Sequence, residues 1–350
     1  EQRRLVDPFA EVLGTGGGSE TRLRDVLEAL DTAAQDARIS HVILELDRLQ
    51  GGSIAALLDI GDALDAVRAA GKPVCSYASS YTQAQYLIAA HADEVFLDER
   101  GLNPLGPVFL SGLGVFPTFY RSALDKLHVR VHVFRAGLYK SAVEPYERDS
   151  MSDATRAETT AWLGTLWQVY RDRIAARRGL AVEDLHAYSQ NYAALLGAAD
   201  DPNQIAVDAG LIDRVLTTSE WSAHLENTVG GPLRSSNSIR LDGYLAATRT
   251  SLPVPADSGP QIAVLTLKGV ILDGRQPPGS IGAETTLPLL ERARKNSAVR
   301  AVVVRVDSPG GSASASEEIR AGLESLQDVG KPVVVSMAGT AASGGYWLAS

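Results

Sequence analysis

The sequence predicts an α/β fold in which parallel β-sheets are covered by helices. Two observations predict it. Apolar runs rich in β-branched residues alternate along the chain with segments whose apolar residues recur at helical spacing. The same order of elements also occurs twice, once near each end of the chain, which is typical of duplicated βαβ units. Right-handed crossover connections are therefore expected.

The duplication is supported by three landmarks that keep nearly the same register in both copies. In each copy an apolar strand is followed by a glycine turn, an amphipathic helix, a Gly-Lys-Pro tripeptide and a second strand. The landmark pairs are 41–47 with 301–307, Gly51-Gly52 with Gly310-Gly311, and 71–74 with 330–333. One shared tripeptide could arise by chance, but three landmarks in one register indicate duplication.

Apolar periodicity predicts the individual elements in chain order. In the first copy they are the helices Leu23–Ala37 and Ile54–Ala70 and the strand at 41–47. In the middle of the chain they are strands at Glu94–Leu97, Val129–Phe134 and 211–213, and helices at Asp153–Arg178, Val182–Ala199 and Pro202–Gly210. In the second copy they are an opening strand at Ile262–Leu272, which the first copy lacks, and helices at Leu287–Asn296 and Ser314–Val329.

The domain boundary is placed at a segment rich in Pro, Ser and Gly, Arg249–Pro260. Residues 1–248 are interpreted as the first repeat with a helical extension, and residues 261–350 as the first part of a second repeat. The chain begins at Glu1 and stops at Ser350 within an apparent helix. This is expected of a fragment, from which an anchor or signal could have been removed.

Composition excludes several classes of function. Among 350 residues, 45% are hydrophobic and 21% are charged, which is typical of a soluble globular protein. The net charge of −9 argues against nucleic acid as a partner, because phosphate contacts require clustered Lys and Arg. A single cysteine, Cys75, excludes an intramolecular disulfide and a cysteine zinc site but leaves the compartment open. No uninterrupted apolar run reaches the roughly 18 residues of a membrane span.

A candidate nucleophile, Ser343, stands on a turn of small residues. An apolar β-branched run precedes it, and two glycines and an apparent helix follow it. A strand that enters a tight turn and then a helix can present one side chain where backbone N–H groups converge, which suits a nucleophilic serine. The alternative is a close-packed turn without chemistry. In the first copy the corresponding residue is Ala84, so that copy cannot use the same chemistry.

A candidate oxyanion site follows the buried strand of the second copy, at Asp307-Ser308-Pro309-Gly310-Gly311. Glycines after a strand allow backbone N–H groups to approach a ligand without a Cβ in the way. Gly310, Gly311 and Gly344 are the predicted donors. The alternative is an ordinary turn; the pattern fits neither the P-loop nor the dinucleotide-binding glycine motif.

The general base is harder to identify, because none of the six histidines stands in a recognisable triad context. Lys140 follows the predicted strand Val129–Phe134 among apolar and small residues. Burial without a carboxylate partner would lower the pKa of a lysine and permit it to accept a proton. The ordinary interpretation is a solvated lysine, and Glu144 or Glu147 could keep it charged.

Three segments, Phe134–Met151, Asp307–Ser316 and Gly330–Ser350, resemble the long two-domain form of the signal peptide peptidase A family, also called protease IV. The resemblance extends from about Arg22 onward. It implies a Clp protease/crotonase-type fold duplicated in one chain, with parallel sheets and helices packed outside. It also implies a Ser/Lys dyad of Ser343 and Lys140 that needs no metal or organic cofactor.

The same resemblance implies a location, an assembly and a substrate. Family members are anchored to the bacterial inner membrane with the catalytic domain on the periplasmic side, and they assemble as homotetramers. Their substrates are signal peptides left after preprotein processing and unfolded apolar segments. This chain departs from the family pattern because it lacks the opening strand with its anchor and the second half of the C-terminal repeat.

Two other functions remain open from the sequence. A crotonase-type acyl-CoA enzyme would share the fold and an oxyanion site but would not need Ser343. A non-catalytic α/β binding module would use Ser343 only as a turn residue.

Overall fold

The computed structural model describes residues 21–101, 104–232, 237–251 and 259–350. The helices are α1 Leu23–Gln35, α2 Ile54–Ala69, α3 Gln83–Ala89, α4 Arg121–Lys126, α5 Glu144–Glu147, α6 Asp153–Arg178, α7 Val182–Ala198, α8 Pro202–Asp208, α9 Thr218–Val229, α10 Leu241–Ser251, α11 Ala283–Lys295, α12 Ala313–Asp328 and α13 Gly344–Trp347. The strands are β1 Val42–Glu45, β2 Val74–Ala78, β3 Tyr81–Thr82, β4 Glu94–Asp98, β5 Val108–Phe109, β6 Arg214–Leu216, β7 Gln261–Lys268, β8 Val270–Leu272, β9 Ser280–Gly282, β10 Val299–Ser308 and β11 Val333–Ala341.

All the strand pairs in the described residues are parallel. The larger sheets have the orders β1-β2-β4-β6 and β11-β10-β7, and two short sheets pair β3 with β5 and β8 with β9. In the two larger sheets, helices connect the neighbouring parallel strands, as βαβ units require. The predicted α/β class with parallel sheets is confirmed. β1 and β2 pair as β10 and β11 do, which matches the strands of the two copies.

By their contacts the described residues form two compact units. The serine unit, which contains Ser343, comprises 21–38, 55–70, 237–251 and 259–350; the lysine unit, which contains Lys140, comprises 39–54, 71–101 and 104–232. The predicted division into 1–248 and 261–350 stays a prediction. Of the predicted linker Arg249–Pro260, the first residues end helix α10, and residues 252–258 lie outside the described part of the chain.

The core of the serine unit lies on one face of the β11-β10-β7 sheet. Val302, Val304 and Val306 of β10 are fully or nearly fully buried and alternate with more accessible residues, as one buried sheet face requires. Helix α12 covers this face with Ile319 and Leu323, which are four residues apart. Two turns extend from the carboxyl ends of β10 and β11. The glycine turn, residues 309–311, follows β10, and the serine turn, residues 342–344, follows β11.

In the described part of the lysine unit, the hydroxyl groups of five buried tyrosines donate to backbone carbonyls: Tyr81, Tyr86, Tyr170, Tyr188 and Tyr192. Tyr81 donates to the Phe96 carbonyl at 2.8 Å, and Tyr170 donates to the Gln83 carbonyl at 2.9 Å. Tyr86 donates to the carbonyl oxygen of Leu211 at 2.6 Å. A buried hydroxyl without a partner would destabilise the fold, so these bonds fix helices α3 and α6 relative to the sheet.

Gly-Lys-Pro of the second copy has a structural role. The Lys331 ammonium donates to the carbonyls of Ala293 and Asn296, at 2.7 Å each, and thus caps the carboxyl end of helix α11. A cation at this end of a helix is favourable because the helix dipole is negative there. None of the described helices is long and apolar enough to cross a membrane.

The predicted strand at Val129–Phe134 is wrong. The segment has no strand structure, and Phe134 is 97% exposed. Alternation of apolar residues predicted a strand, but a strand also needs a neighbour, and this segment pairs with no strand in the described residues. Two other predicted strands differ in their bounds. The strand expected at 211–213 lies slightly later, at β6, Arg214–Leu216. The strand expected at Ile262–Leu272 is interrupted at Gly269 and forms β7 and β8.

Candidate active site

Ser343 lies between strand β11 and the short helix α13. Its backbone has φ 50° and ψ −121°, a conformation that is strained for any residue with a Cβ. Its side chain is exposed and makes no capping hydrogen bond with the helix that follows. Trp347 holds that helix in place, since its indole N–H donates to Glu317 of α12 at 2.8 Å. The serine hydroxyl is therefore presented on a tight strand-to-helix turn, as a nucleophile would be.

The glycine turn after β10 lies directly against this serine turn. Gly310 has φ +98°, and a Cβ added to it would lie 2.6 Å from the Cβ of Ser343 and 2.7 Å from the Gly344 nitrogen. A Cβ on Gly311 would overlap the Ile271 carbonyl oxygen. Glycine is therefore required at both positions, by backbone conformation and by space. The structure brings Ser343 and the three predicted donors together.

The three predicted donors differ in what their N–H groups do. The Gly310 N–H donates to the buried hydroxyl of Ser308 at 3.1 Å, so it is already engaged. Within the described residues, the N–H groups of Gly311 and Gly344 have no acceptor. A Cβ added to Gly344 would lie 3.4 Å from the Gly311 nitrogen, so these two groups are neighbours. Two unused N–H groups beside a serine can stabilise an oxyanion.

Asp273 fixes the beginning of helix α12 behind the glycine turn. Its carboxylate accepts hydrogen bonds from the hydroxyls of Ser312 and Ser314, the latter at 2.9 Å. These bonds hold the pKa of Asp273 below its ordinary value. Ser312 is also the N-cap residue, since its hydroxyl oxygen accepts the N–H of Ala315 at 3.2 Å. The helix that follows the glycine turn is thereby anchored to the end of β8.

In the first copy a side chain occupies the place of the corresponding site. Ala84 lies in helix α3 where the second copy has Ser343, and the next residue, Gln85, is 5% exposed. The Gln85 amide donates to the carbonyls of Leu46 and Leu49, at 2.9 and 3.0 Å, in the turn after β1. A glutamine bound to this turn excludes a ligand there. The prediction that the first copy lacks the chemistry therefore has a structural explanation.

Lys140 lies in the lysine unit, in the loop before helix α5, and its side chain is exposed. Neither neighbouring acid engages it. The Glu144 carboxylate, 3% exposed, accepts hydrogen bonds from Ser152 and Thr155. Glu147 lies 3.9 Å from the Arg135 guanidinium. No described carboxylate is within ion-pair distance of the Lys140 ammonium.

The predicted site residues are thus divided between the two units. Ser343, Gly310, Gly311 and Gly344 lie together in the serine unit, and Lys140 belongs to the lysine unit. The pairing of Ser343 with Lys140 stays a prediction. Sequence reasoning did not assign roles to Ser308, Asp273 or Gln85. Ser308 stands inside the quoted glycine motif, but its partner is distant in sequence.

Comparisons with known proteins agree with the motifs. A family model described as peptidase family S49 matches residues 66–230, which include Lys140. The chain is 39% identical over 332 residues to Protease 4 of Salmonella typhi, covering 95% of this chain and 52% of that protein. It is 37% identical to Protease 4 of Haemophilus influenzae, covering 100% of this chain and 56% of that protein. It is 27% identical to the chloroplastic serine protease SPPA of Arabidopsis thaliana, covering 99% and 50% respectively. The chain spans about half the length of these relatives.

Proposed function

We propose that this chain is a serine peptidase of family S49, whose family model matches residues 66–230, with Ser343 as its nucleophile and Lys140 as its general base. The resemblance to signal peptide peptidase A, stated above from the motifs, is confirmed by this match and by the similarity to the two bacterial Protease 4 sequences. The observation that carries the proposal is the serine turn. Ser343 is held in a strained conformation beside two N–H groups without acceptors in the described residues.

The proposed reaction is acyl transfer to serine. Neutral Lys140 takes the proton from Ser343 Oγ, which attacks the carbonyl carbon of the scissile peptide bond. Backbone N–H groups of the glycine turn and of Gly344 stabilise the oxyanion of the tetrahedral intermediate, and one such donor contributes roughly 3 kcal/mol in comparable sites. The protonated lysine then gives its proton to the leaving amine. Water, activated by the same lysine, hydrolyses the acyl-enzyme and releases Ser343.

A lysine base requires an environment that does not stabilise its proton. The acids next to Lys140 in sequence are bound elsewhere, Glu144 to Ser152 and Thr155, and Glu147 to Arg135. This arrangement supports the assignment, because a carboxylate beside the ammonium would keep it charged.

The proposed substrates are cleaved signal peptides and unfolded apolar segments, degraded at the periplasmic side of the bacterial inner membrane by a homotetramer. The resemblance to the family supports this substrate, location and assembly. At the end of β11 and on the turn that follows, the small residues Ala338, Gly339, Ala341 and Ala342 leave room for an extended peptide. An apolar peptide also agrees with a site that offers backbone donors rather than charged side chains.

A covalent probe tests the proposal in the intact protein. A fluorophosphonate should label Ser343, which peptide mapping by mass spectrometry identifies, and Ser343→Ala and Lys140→Ala should abolish both labelling and hydrolysis of an apolar peptide. Lys126→Ala, in helix α4 of the same unit, is the control for Lys140 and should retain activity. Retained hydrolysis in either dyad variant contradicts the proposal. Binding of coenzyme A without labelling of Ser343 would instead support the acyl-CoA enzyme.

A further inference from the structure

Ser308 is a buried serine that the reaction above does not use. It is the last residue of strand β10 and is 0% exposed. Its hydroxyl donates to the Gly269 carbonyl at 2.7 Å and accepts the Gly310 N–H at 3.1 Å. Its own carbonyl oxygen accepts the N–H of Ala342, the residue before Ser343, at 3.0 Å. One residue therefore joins the β7–β8 junction, the glycine turn and the serine turn.

The hydroxyl of Ser308 determines which N–H of the glycine turn is free. An N–H that donates to a buried hydroxyl is not available to an incoming oxyanion, so Gly310 is excluded as a donor. On the other side of the turn, strand β8 forms hydrogen bonds with the backbone groups on either side of Gly311. The Ile271 N–H donates to the Gly310 carbonyl at 2.9 Å, and the Ser312 N–H donates to the Ile271 carbonyl at 2.8 Å.

These two bonds fix the direction of the Gly311 N–H. Ile271 and Gly311 form a parallel bridge, in which the residue between two bonded groups points its own N–H away from the partner strand. The Gly311 N–H therefore points away from β8. A Cβ added to Gly344 would lie 3.4 Å from the Gly311 nitrogen, so this N–H lies on the side of the serine turn.

We propose that Ser308 is a positioning residue of the oxyanion site: it holds the Gly310 N–H inward and so leaves the Gly311 and Gly344 N–H groups as the two donors. The inference rests on the proposed peptidase function. Ser308 acts through the glycine turn and does not touch the substrate. Loss of its hydroxyl should allow the backbone of the glycine turn to move. The Gly311 N–H would then be displaced, and a donor displaced by a fraction of an ångström stabilises the transition state less well.

Kinetics of Ser308→Ala in the intact protein test this role. We expect kcat to fall on the order of tenfold to a hundredfold, with KM changed less than about twofold, because only the transition state places charge at the donors. A peptide aldehyde, whose carbonyl carbon bonds to Ser343 Oγ and whose oxygen becomes the oxyanion, should lose affinity in proportion to kcat/KM. The matched peptide alcohol, which forms no such bond, should bind as before.

A serine of α12 provides the control. The Ser325 hydroxyl donates to the Gly322 carbonyl at 2.7 Å within the helix, so Ser325→Ala makes the same chemical change away from the turn and should keep full activity. Unchanged kcat and aldehyde affinity in an otherwise active Ser308→Ala would overturn the inference. Equal weakening of aldehyde and alcohol would also overturn it, because it would indicate a general disturbance of the peptide site. A wild type that neither hydrolyses peptide nor labels at Ser343 would refute the peptidase proposal itself, and the role of Ser308 would fall with it.

A second measurement does not depend on the folding of a variant. In a crystal structure of the wild-type fluorophosphonate adduct, the phosphonyl oxygen should lie about 2.7–3.1 Å from the nitrogens of Gly311 and Gly344. The Gly310 N–H should still donate to Ser308 Oγ. An adduct in which the Gly310 N–H has turned to the phosphonyl oxygen would show that Ser308 does not select the donors.

Discussion

At Ser343 the chain adopts φ 50° and ψ −121°, which glycine accepts easily and serine does not. The glycine turn packs directly against this residue, since a Cβ on Gly310 would lie 2.6 Å from the Cβ of Ser343. A residue held in such a conformation costs of order 1–3 kcal/mol. The fold therefore gives up stability to present this hydroxyl, which agrees with a nucleophile and not with an ordinary turn residue.

The strain predicts an unusual order of stabilities. Ser343→Gly should be more stable than Ser343→Ala by about 1 kcal/mol, because glycine alone accepts this backbone without strain. Both variants should be inactive. Ser325, inside helix α12, is the control: there Ser325→Ala should be more stable than Ser325→Gly by about 1 kcal/mol. Free energies of unfolding from urea titration measure both pairs, and an alanine variant that is the more stable one at Ser343 would show that the turn is not strained.

The sequence was sufficient for some residues of the site and not for others. Ser343, Gly310, Gly311 and Gly344 were predictable because each belongs to a local strand–turn–helix pattern. Ser308 was visible in the glycine motif, but its bond to Gly269 joins residues 39 positions apart, and no local pattern reports such a contact. The same holds for Gln85, whose amide reaches the carbonyls of Leu46 and Leu49 from a different element.

At the scale of elements, seven helices were predicted within a few residues, whereas helices α3, α4, α5, α9 and α10 were not predicted and one predicted strand is absent. Helix Asp153–Arg178 was predicted with its observed bounds, since amphipathic spacing and its N-cap serine are local signals. The segment Val129–Phe134 has the alternation of a strand but pairs with no strand in the described residues. Strand formation depends on a partner, and a sequence window does not contain that information.

The segment that carries Lys140 is attached to helix α6 through Glu144. The Glu144 carboxylate accepts the Ser152 N–H at 3.1 Å and the Thr155 hydroxyl at 3.0 Å, at the first turn of that helix. Burial raises the pKa of Glu144, but the hydrogen bonds from Ser152 and Thr155 outweigh burial and hold its pKa below the ordinary value. The charged form is therefore favoured in the folded state, and it stabilises this attachment.

Glu144→Gln should lower the free energy of unfolding at neutral pH by about 1.5–3 kcal/mol, the usual range for a hydrogen bond to a charged group. Because the folded-state pKa is lowered, the contribution of the carboxylate is present above the unfolded-state pKa of about 4.3 and is lost as the pH falls through the folded-state value. The difference in the free energy of unfolding between wild type and Glu144→Gln should therefore decrease towards zero as the pH is lowered. Urea titrations between about pH 3 and 7 measure it. Glu147→Gln, at a more exposed position, should show little change, and a Glu144→Gln gap that is constant or widens in acid would contradict this role.

At the scale of the whole molecule, the proposed dyad draws one residue from each compact unit. The family match at 66–230 includes Lys140, and the bacterial relatives align with both halves of the chain. The repeat offers a reason why the proposed base and the proposed nucleophile would come from different copies. The first copy has Gln85 bound in its turn and Ala84 in place of a nucleophile, and the second copy has Ser343 beside two N–H groups that have no acceptor in the described residues. We therefore propose that each copy supplies one member of the dyad.

The most direct test of the dyad is the distance between Lys140 Nζ and Ser343 Oγ in an experimental structure of the intact assembly. We predict a hydrogen bond of about 2.6–3.2 Å between these atoms, either within one protomer or between neighbours. A Lys140 Nζ that lies beyond hydrogen-bonding reach of every Ser343 Oγ, with no water between them, would contradict the assignment of Lys140 as the general base.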